Sequence, residues 1–233
     1  MNNTIVVIPT YNEVNNIENL VSQILGLDCP VDILVVDDNS PDGTGNLLDT
    51  LSCKFKQVQI IHRKNKSGLG TAYIEGFNKA LACGYEYVIQ MDGDLSHNPK
   101  YIPDFLNMMK DFDLILGSRF LNGVHIINWS FSRLFLSLLA IKYVKFITRL
   151  PFTDPLGGFR CFRANALREI IADGLISKGY LFQVEVLYRS YKKGHRIGEA
   201  PIYFVNRKIG KSKLSLGIIL EAIFKIITFR MKI

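Results

Sequence analysis

The chain has 233 residues, of which 48% are hydrophobic and 21% are charged. This length and composition fit one large globular domain with a core of its own, and they exclude a disordered chain. The net charge of +7 indicates an anionic partner, which is a nucleotide, a nucleic acid or a membrane surface.

Neither the cysteines nor the apolar segments point to an exported or membrane-spanning protein. The four cysteines form no CxxC pair and have no histidine at metal-ligand spacing, which is typical of reduced thiols in the cytoplasm. The first ten residues, MNNTIVVIPT, lack the basic region and cleavage site of a secretory signal. The most apolar stretches, 134–141 and 214–220, are far shorter than the roughly 20 residues that a crossing needs. We expect a cytoplasmic protein that meets a membrane only at its surface.

Short apolar runs and amphipathic segments alternate through the first half of the chain. Strands are predicted at residues 4–10, 32–38, 58–63, 87–92 and 113–119, and helices at 17–25, 45–52 and 68–84. This alternation predicts an α/β fold with a doubly wound, mainly parallel sheet and helices on both faces. In such sheets ligands bind at the carboxyl ends of the strands, which is where the polar motifs of this chain fall.

The second half is more helical and more basic. Helices are predicted at 129–150, 164–173 and 178–194, a loop at 153–163, and a strand at 201–207 followed by a basic loop. Residues 214–233 have the spacing of an amphipathic helix, which suits either an interfacial helix on anionic lipid or a core or dimer helix. We expect one domain at 1–213 and a peripheral helix at 214–233.

Two carboxylates, Asp92 and Asp94, follow the fourth predicted strand with one residue between them, so both can face the same side. Unpaired carboxylates would repel each other there, whereas a hard divalent cation such as Mg²⁺ or Mn²⁺ satisfies both and also holds substrate phosphates. Gly93 between them lets a ligand approach closely. The plainer interpretation is a solvated turn or helix cap, and the motif alone leaves the two equally open.

The ends of the first two strands have the residues of a nucleoside pocket. Tyr11 offers an aromatic face and Glu13 a carboxylate, although Glu13 could instead cap the following helix. Asp37 and Asp38 end the second strand. An acid at this place in a doubly wound sheet tends to hold a ribose or a base edge, and we assign that contact to Asp38 and a structural role to Asp37.

Eight motifs occur in the same order along nearly the whole chain: PTYNE, DDNSPDGT, GLG, MDGDLSH, GSRF, DPLGGFR, KGYLFQVE and VNRKIGKSKL. Together they resemble the GT-A glycosyltransferases of family 2, most closely the dolichol (polyprenol) phosphate mannose synthases in their compact form without transmembrane helices. The resemblance implies a GT-A, Rossmann-like fold with a nucleotide-binding half at about 1–120 and an acceptor half at about 121–213.

The resemblance also implies a set of site residues. Metal ligands fall on Asp92 and Asp94, with Ser96 standing where relatives often have glutamine. Contacts to the nucleotide sugar fall on Pro9, Tyr11, Glu13, Val36, Asp38, Asp92, Gly93, Asp94, Lys178, Arg207 and Lys213. Contacts to the acceptor phosphate fall on Arg119, Arg133 and Ser137, and the catalytic residues are Asp94, Arg119 and Arg133. Because DPLGGFR departs from the commoner DPTSGFR, only the position of its loop is carried over.

The basic residues are consistent with two anionic reactants. Arg119 follows the fifth strand, and Arg133 and Ser137 are four residues apart on one face of the 129–150 helix. The opposite face has Lys142, Lys145 and Arg149, which can touch anionic headgroups. Ordinary surface salt bridges are the plainer alternative for these cations.

The second basic cluster, Lys178, Arg207 and Lys213, includes two residues on a glycine-containing loop that could close over a diphosphate; a solvated basic loop is the alternative. One of Gln183 and Glu185 of FQVE could orient the sugar, but packing or helix pairing is the favoured interpretation of both, and they are left out of catalysis.

The implied reaction is the inverting transfer of a hexose, first of all mannose from GDP-mannose, to dolichyl or polyprenyl phosphate. A phosphate monoester loses its second proton near pH 6, so it is a ready nucleophile that needs cations rather than a general base. The implied cofactor is Mg²⁺ or Mn²⁺. The implied partners are the cytosolic surface of a membrane and a small membrane-anchoring subunit.

Four alternatives have to be weighed. The donor could be a UDP-sugar carrying glucose or another hexose, or the acceptor a sugar hydroxyl. The chain could also be a non-catalytic subunit that recruits a membrane enzyme. A nucleic-acid-binding protein is suggested by charge alone, and we predict no nucleic-acid partner because no reader motif accompanies the basic residues.

Overall fold

The computed structural model describes residues 2–177, 179, 181–206 and 226. The strands in these residues are β1 (Thr4–Thr10), β2 (Asp32–Asp37), β3 (Val58–His62), β4 (Tyr87–Gln90), β5 (Leu114–Ser118), β6 (Ile126–Ile127), β7 (Arg160–Arg163), β8 (Ile197–Pro201) and β9 (Phe204–Val205). The helices are α1 (Ile17–Leu25), α2 (Thr44–Lys54), α3 (Leu69–Ala82), α4 (Ile102–Met108), α5 (Phe131–Thr148), α6 (Ala164–Ala172) and α7 (Leu181–Lys192), with a 3₁₀ turn at Pro99–Tyr101.

The central sheet has the strand order β3-β2-β1-β4-β7-β5-β8, and it is mainly parallel, as predicted. β1 pairs in parallel with β2 and β4, β2 with β3, and β5 with β8. β7 lies between β4 and β5 and is antiparallel to both, so its first residue, Arg160, is in register with Gln90 and Leu116. The loop before β7 therefore reaches the edge of the sheet at which the parallel strands end. β6 and β9 pair in a separate two-stranded sheet.

Helices cover both faces of the sheet because its central strands are apolar on both faces. Every residue of β1 and β2 is buried, which is the pattern of central parallel strands. On one face Val7 belongs to a core cluster with Phe77 of α3, and on the other Ile8 belongs to a cluster with Leu20 of α1. A Cβ at Gly76 would lie 2.4 Å from Cγ1 of Val7, so only glycine lets α3 approach β1 this closely.

Two predictions about the sheet were wrong in detail. The predicted loop at 153–163 ends in a strand, because Arg160–Arg163 forms β7. Only two apolar residues lie in this strand, so its burial comes from β4 and β5 rather than from an apolar run of its own. The predicted strand at 201–207 is displaced, since the central sheet takes Ile197–Pro201 and the described part of the predicted segment contributes Phe204–Val205 to the small sheet. β8 is an edge strand, where Pro201 is tolerated.

The helices agree with the predicted segments except at two places. The short helix α4 was not predicted. The predicted helix at 214–233 lies outside the described residues apart from Ile226, which is buried in a cluster with Val144, Leu181 and Val184. In the described part of the chain, no helix combines the length and the hydropathy that a membrane crossing requires.

Candidate active site

Charged side chains converge at the carboxyl edge of the sheet. Asp92 and Asp94 follow β4, Arg119 follows β5, and Asp154 lies in the loop that precedes β7. Burial lowers the pKa of His97, and the charges of all four of these residues act on the same imidazole. The structure therefore brings the predicted metal ligands and the first predicted acceptor arginine into one electrostatic environment.

Asp92 is held by a buried tyrosine. The hydroxyl of Tyr73 donates to Oδ1 of Asp92 over 2.8 Å. The Tyr73 ring is fully buried and stacks on Phe182 with ring centroids 5.8 Å apart. Burial, together with the charge of Asp92, raises the pKa of Tyr73 well above its ordinary value, so the hydroxyl remains a donor. The carboxylate of Asp92 is thereby held in one orientation.

Asp94 is held by the turn that follows it. Its Oδ1 accepts the backbone N–H of Ser96 over 3.1 Å, and Leu95 between them has a positive φ of 61°. Gly93 makes room for the neighbouring strand, because a Cβ there would lie 3.2 Å from Cγ2 of Thr10. Ser96 is itself buried, and its role as a metal ligand stays a prediction.

The acidic pair, defined as Asp92 and Asp94, suits a hard divalent cation. Both side chains are half-buried, and each has one oxygen held by a protein donor. Mg²⁺ and its relatives are usually bound by one or two carboxylates together with substrate phosphates, and the acidic pair provides such a set. Within the described ranges, no group of three or more His, Cys, Asp or Glu side chains could hold a metal ion.

The buried side chain of His97 contacts the backbone of Asp92, a contact that the sequence analysis did not predict. It is 3% exposed, stacks on Phe159 with ring centroids 5.2 Å apart, and meets Phe204 edge-on. Its Nδ1 accepts the backbone N–H of Asp92 over 3.2 Å. Because burial lowers its pKa, the ring is neutral at pH 7 and carries its proton on Nε2. The proximity of His97 to the acidic motif was the available signal, but only the fold shows the contact.

Tyr11 and Glu13, which were predicted to line a nucleoside pocket, follow the end of β1. The ring of Tyr11 is half-buried, and Nζ of Lys66 is 3.7 Å from its centroid. The carboxylate of Glu13 accepts from the side-chain amide of Asn16 over 2.8 Å, while its backbone carbonyl accepts the N–H groups at the start of α1. The backbone carbonyl of Glu13 thus caps the start of α1. Nucleotide contacts of Tyr11 and Glu13 stay predictions.

Pro9 and Val36 are neighbours in register within the sheet. Both are buried, and Cγ2 of Val36 would lie 3.2 Å from a Cβ at Gly76 of α3. The Val36 side chain thus belongs to the core, and a contact with a nucleotide would have to use its backbone.

The two acids at the end of β2 have different partners. Asp37 accepts from the backbone N–H and the hydroxyl of Ser40 over 3.1 Å and 2.5 Å, which confirms its structural role in the turn. Asp38 is buried, is paired with Arg63 over 2.7 Å, and accepts the backbone N–H groups of Ser67 and Gly68. Asp38 therefore holds the loop before α3, and its contact with a nucleotide stays a prediction.

Arg119 is bound to an acid that was not predicted. Its Nε and Nη2 donate to the two carboxylate oxygens of Asp154 over 2.6 Å and 2.8 Å, and its backbone N–H donates to the same side chain over 3.1 Å. Although burial alone lowers the pKa of Arg119, the charge of Asp154 outweighs it and raises that pKa above its ordinary value. Arg119 thus stays charged in a fixed orientation. The acid of the DPLGGFR motif was the signal that could have identified Asp154.

The carboxylate of Glu199 binds the loop that contains Asp154. Glu199 of β8 accepts the backbone N–H of Thr153 over 2.8 Å, the hydroxyl of Thr153 over 2.6 Å and the backbone N–H of Asp154 over 3.3 Å. The loop that contains Asp154 is therefore tied to the edge strand of the sheet.

Arg133 and Arg119 both lie close to the ring of Trp129. Nη1 of Arg133 donates to Oδ1 of Asn206 over 2.7 Å. Its guanidinium carbon is 4.2 Å from the ring centroid of Trp129, and that of Arg119 is 5.6 Å from the same centroid. Ser137 follows one turn later in α5 and is half-buried. The structure thus brings both predicted acceptor arginines together.

The predicted donor residues Lys178, Arg207 and Lys213 lie outside the described residues. The loop just before Lys178 is held by Glu185, whose carboxylate is fully buried and accepts the backbone N–H groups of Ile176 and Ser177. Arg189 completes this anchor with a 2.8 Å ion pair. The packing role expected for Glu185 agrees with these contacts.

A buried arginine joins the DPLGGFR loop to α7. Arg160 donates to the backbone carbonyls of Pro155, Gly157 and Gln183. Burial lowers its pKa to about 10, so it remains charged at neutral pH. Gln183 in turn accepts from Gln90 of β4 over 2.6 Å, which agrees with the packing role expected for it.

The sequence profile of glycosyl transferase family 2 matches residues 5–171, which extends from β1 into α6 and includes both the acidic pair and Arg119. The chain belongs to glycosyl transferase family 2. Two relatives of this family 2 chain align over nearly its whole length. It is 41% identical to the undecaprenyl-phosphate mannosyltransferase of Micrococcus luteus, over 94% of this chain and 90% of that protein. It is also 41% identical to the polyprenol monophosphomannose synthase of Mycolicibacterium smegmatis, over 96% of this chain and 85% of that protein.

Solved structures share the fold of this family 2 glycosyltransferase. Glucosyl-3-phosphoglycerate synthase from Mycobacterium tuberculosis, in complex with Mn²⁺, UDP and glucosyl-3-phosphoglycerate, superposes with a TM-score of 0.71 over 98% of this chain and 78% of that chain, at 16% identity. The same enzyme with Mn²⁺, UDP-glucose and phosphoglyceric acid superposes with a TM-score of 0.67. The likeness confirms the predicted GT-A architecture.

The family 2 fold thus presents two oppositely charged groups at one sheet edge. The acidic pair is suited to a cation that accompanies a diphosphate, and Arg119 with Arg133 is suited to an anion.

Proposed function

We propose that the protein transfers mannose from GDP-mannose to a polyprenyl phosphate, with inversion at the anomeric carbon. The observation that carries the proposal is the meeting of the acidic pair with Arg119 and its partner Asp154. A Cβ at Gly158 would lie 3.3 Å from Oδ2 of Asp92, and a Cβ at the adjacent Gly157 would lie 3.3 Å from Oδ2 of Asp154, the atom that Nε of Arg119 contacts over 2.6 Å. A transfer between two anionic reactants needs cationic groups on both, and the arginines supply such groups on the acceptor side.

The proposed reaction does not need a general base. A phosphate monoester is largely dianionic at pH 7, so its oxygen attacks the anomeric carbon without losing a proton to the protein. Arg119 and Arg133 would bind and orient that phosphate, and Arg119 is held for the task by Asp154. A divalent cation on Asp92 and Asp94 would neutralise charge on the departing diphosphate when bound.

The comparisons support the proposed acceptor and the metal. Both aligned relatives are named for mannosyl transfer involving a polyprenol phosphate. The structural neighbour is described with Mn²⁺ and UDP, which supports Mn²⁺ or Mg²⁺ as cofactor here. The neighbour with bound UDP-glucose supports a UDP-hexose as the second candidate donor.

We further propose that the protein works at the cytosolic face of a membrane without spanning it. α5 exposes a row of apolar side chains, with Phe131 83% and Phe146 79% exposed. Lys142 and Arg149 are exposed beside them and would meet anionic headgroups. A small anchoring subunit stays a prediction.

The test uses the purified full chain with Mn²⁺, polyprenyl phosphate and either labelled GDP-mannose or labelled UDP-glucose. Label from GDP-mannose should enter the organic phase, and it should do so only when polyprenyl phosphate is present. Asp94→Ala should abolish the transfer while the circular dichroism spectrum is retained, and Asp28→Ala, before β2 at the opposite sheet edge, should leave it unchanged. Transfer to a free sugar or phosphoglycerate instead of the lipid would overturn the proposed acceptor.

A further inference from the structure

Trp129 lies close to both predicted acceptor arginines. Its ring centroid is 4.2 Å from the guanidinium carbon of Arg133 and 5.6 Å from that of Arg119. Both distances are within the range at which a cation is attracted to an aromatic face. Two like charges near one another repel, and an indole against both offsets part of that repulsion while the acceptor is absent.

The ring is fixed by its own neighbours. Phe204 meets it edge-on with centroids 5.7 Å apart and a 79° interplanar angle. Phe204 belongs to β9, which pairs with β6 just before Trp129, and Asn206 after β9 binds Arg133. Trp129, Arg133 and the small sheet therefore form one connected unit.

The indole has a buried polar atom without a partner in the described part of the chain. Its Nε1 is buried and has no hydrogen-bond partner among the described residues. A buried N–H without a partner costs about 1 to 3 kcal/mol, so such a group calls for an explanation. Here it is beside two arginines whose proposed ligand has several acceptor oxygens.

We propose that Trp129 belongs to the acceptor-phosphate site, where its ring positions the guanidinium groups of Arg119 and Arg133 and its indole N–H donates to a phosphate oxygen. This inference rests on the proposed function, because that function supplies the phosphate. It adds a residue to the predicted acceptor contacts, which were Arg119, Arg133 and Ser137.

The protein has a direct reporter for this inference, because Trp129 is its one tryptophan. The intrinsic fluorescence of the full chain is titrated with farnesyl phosphate, a short isoprenyl monophosphate, and separately with farnesol and with GDP. Farnesyl phosphate should change the emission saturably, and farnesol should not. An equal response to farnesol would overturn the inference, because the indole would then report the hydrocarbon chain. Arg133→Ala should remove most of the phosphate response.

Kinetics separate a role in the site from a role in folding. Trp129→Leu should raise the KM for polyprenyl phosphate about tenfold or more, with the KM for the nucleotide sugar unchanged within about twofold. Trp129→Phe keeps a ring but loses the N–H, so its KM for the acceptor should lie between those of the wild type and Trp129→Leu. The matched control is Phe55→Leu, which removes a ring 5.1 Å from the ammonium of Lys54 at the end of α2 and should change neither KM.

The outcomes keep this inference distinct from the proposed function. If Trp129→Phe folds as the wild type does and has the wild-type KM for the acceptor, the inference is wrong even though the enzyme transfers mannose. If the wild type transfers no sugar to polyprenyl phosphate from any donor, the proposed function fails, and the fluorescence titration still shows whether an isoprenyl phosphate binds at Trp129. If Trp129→Leu does not fold, the acceptor KM of Trp129→Phe and the fluorescence titration decide whether Trp129 belongs to the acceptor-phosphate site.

Discussion

Tyr73 of α3 donates its hydroxyl proton to Oδ1 of Asp92 over 2.8 Å, from a fully buried position. We predict that Tyr73→Phe keeps the stacking on Phe182 but weakens Mn²⁺ binding in the presence of GDP about tenfold, because Asp92 loses the group that orients it. Calorimetric titration with Mn²⁺ measures this change without any turnover.

The matched control for that change is Tyr85→Phe. Tyr85 donates to Asp32 over 2.7 Å in the same way, but at the amino end of β2. This variant should leave Mn²⁺ binding unchanged. Equal losses of affinity in both variants would show that Tyr73 acts through general stability rather than through Asp92.

The buried pair of Arg119 and Asp154 should be important for stability as well as for binding. Asp154→Asn leaves the Arg119 guanidinium without its counter-charge in a buried site, and we expect a loss of about 3 kcal/mol in the free energy of unfolding. The KM for the acceptor should rise too, because Arg119 loses its orientation. Urea denaturation and steady-state kinetics measure the two effects.

Asp113 provides a control with the same donor groups on an exposed arginine. Arg196 gives it a backbone N–H, Nε and Nη2, just as Arg119 does for Asp154, but Arg196 is 61% exposed. Asp113→Asn should therefore be much less destabilising than Asp154→Asn. If the two variants lost similar amounts of unfolding free energy, burial would not be the reason for the large effect expected of Asp154→Asn.

Glu185 should affect the donor side alone. Glu185→Gln weakens the anchor of Ile176 and Ser177, which directly precede the predicted donor contact Lys178. We expect the KM for GDP-mannose to rise about threefold to tenfold with the KM for the acceptor unchanged. The control is Glu169→Gln, which removes an exposed partner of His195. A rise in the acceptor KM alone would contradict the assignment.

Asp42 gives a prediction about pH. Burial alone would raise its pKa, but hydrogen bonds from Thr44 and Val14 outweigh it, so the pKa lies below the ordinary value of 3.8. The folded protein then holds this proton less tightly than the unfolded chain does, so the stabilisation is present above pH 3.8 and disappears as the pH falls through the lowered pKa. Asp42→Asn should be less stable than the wild type at pH 7, and the difference should vanish at low pH. Urea denaturation at several pH values measures it, and a difference independent of pH would contradict it.

The place of the acids and of Tyr11 at the carboxyl edge could be predicted because these residues follow the strands in chain order. β1 and β2 are uninterrupted apolar runs, and the polar residues that follow them have to lie at one sheet edge. The structural role of Asp37 could be inferred in the same way, since its partner Ser40 is three residues away.

The surroundings of the predicted acceptor arginines could be predicted only in part, because their contacts join distant parts of the sequence. Arg119 and Asp154 are 35 residues apart, and Arg133 and Asn206 are 73 apart. No periodicity indicates such pairs. The strand that brings the first pair together, β7, is four residues long and has an arginine at each end, so its pattern resembles a loop.

The position of β7 determines how the two parts of the central sheet are joined. Among the described strands, β5 and β8 share no ladder with β1–β4, and they join that half of the sheet only through β7. Within the described sheet, the strand before the acidic pair and the strand before Arg119 are therefore joined through residues 160–163. A substitution that loosens this junction should shift both Michaelis constants at once, without touching either ligand.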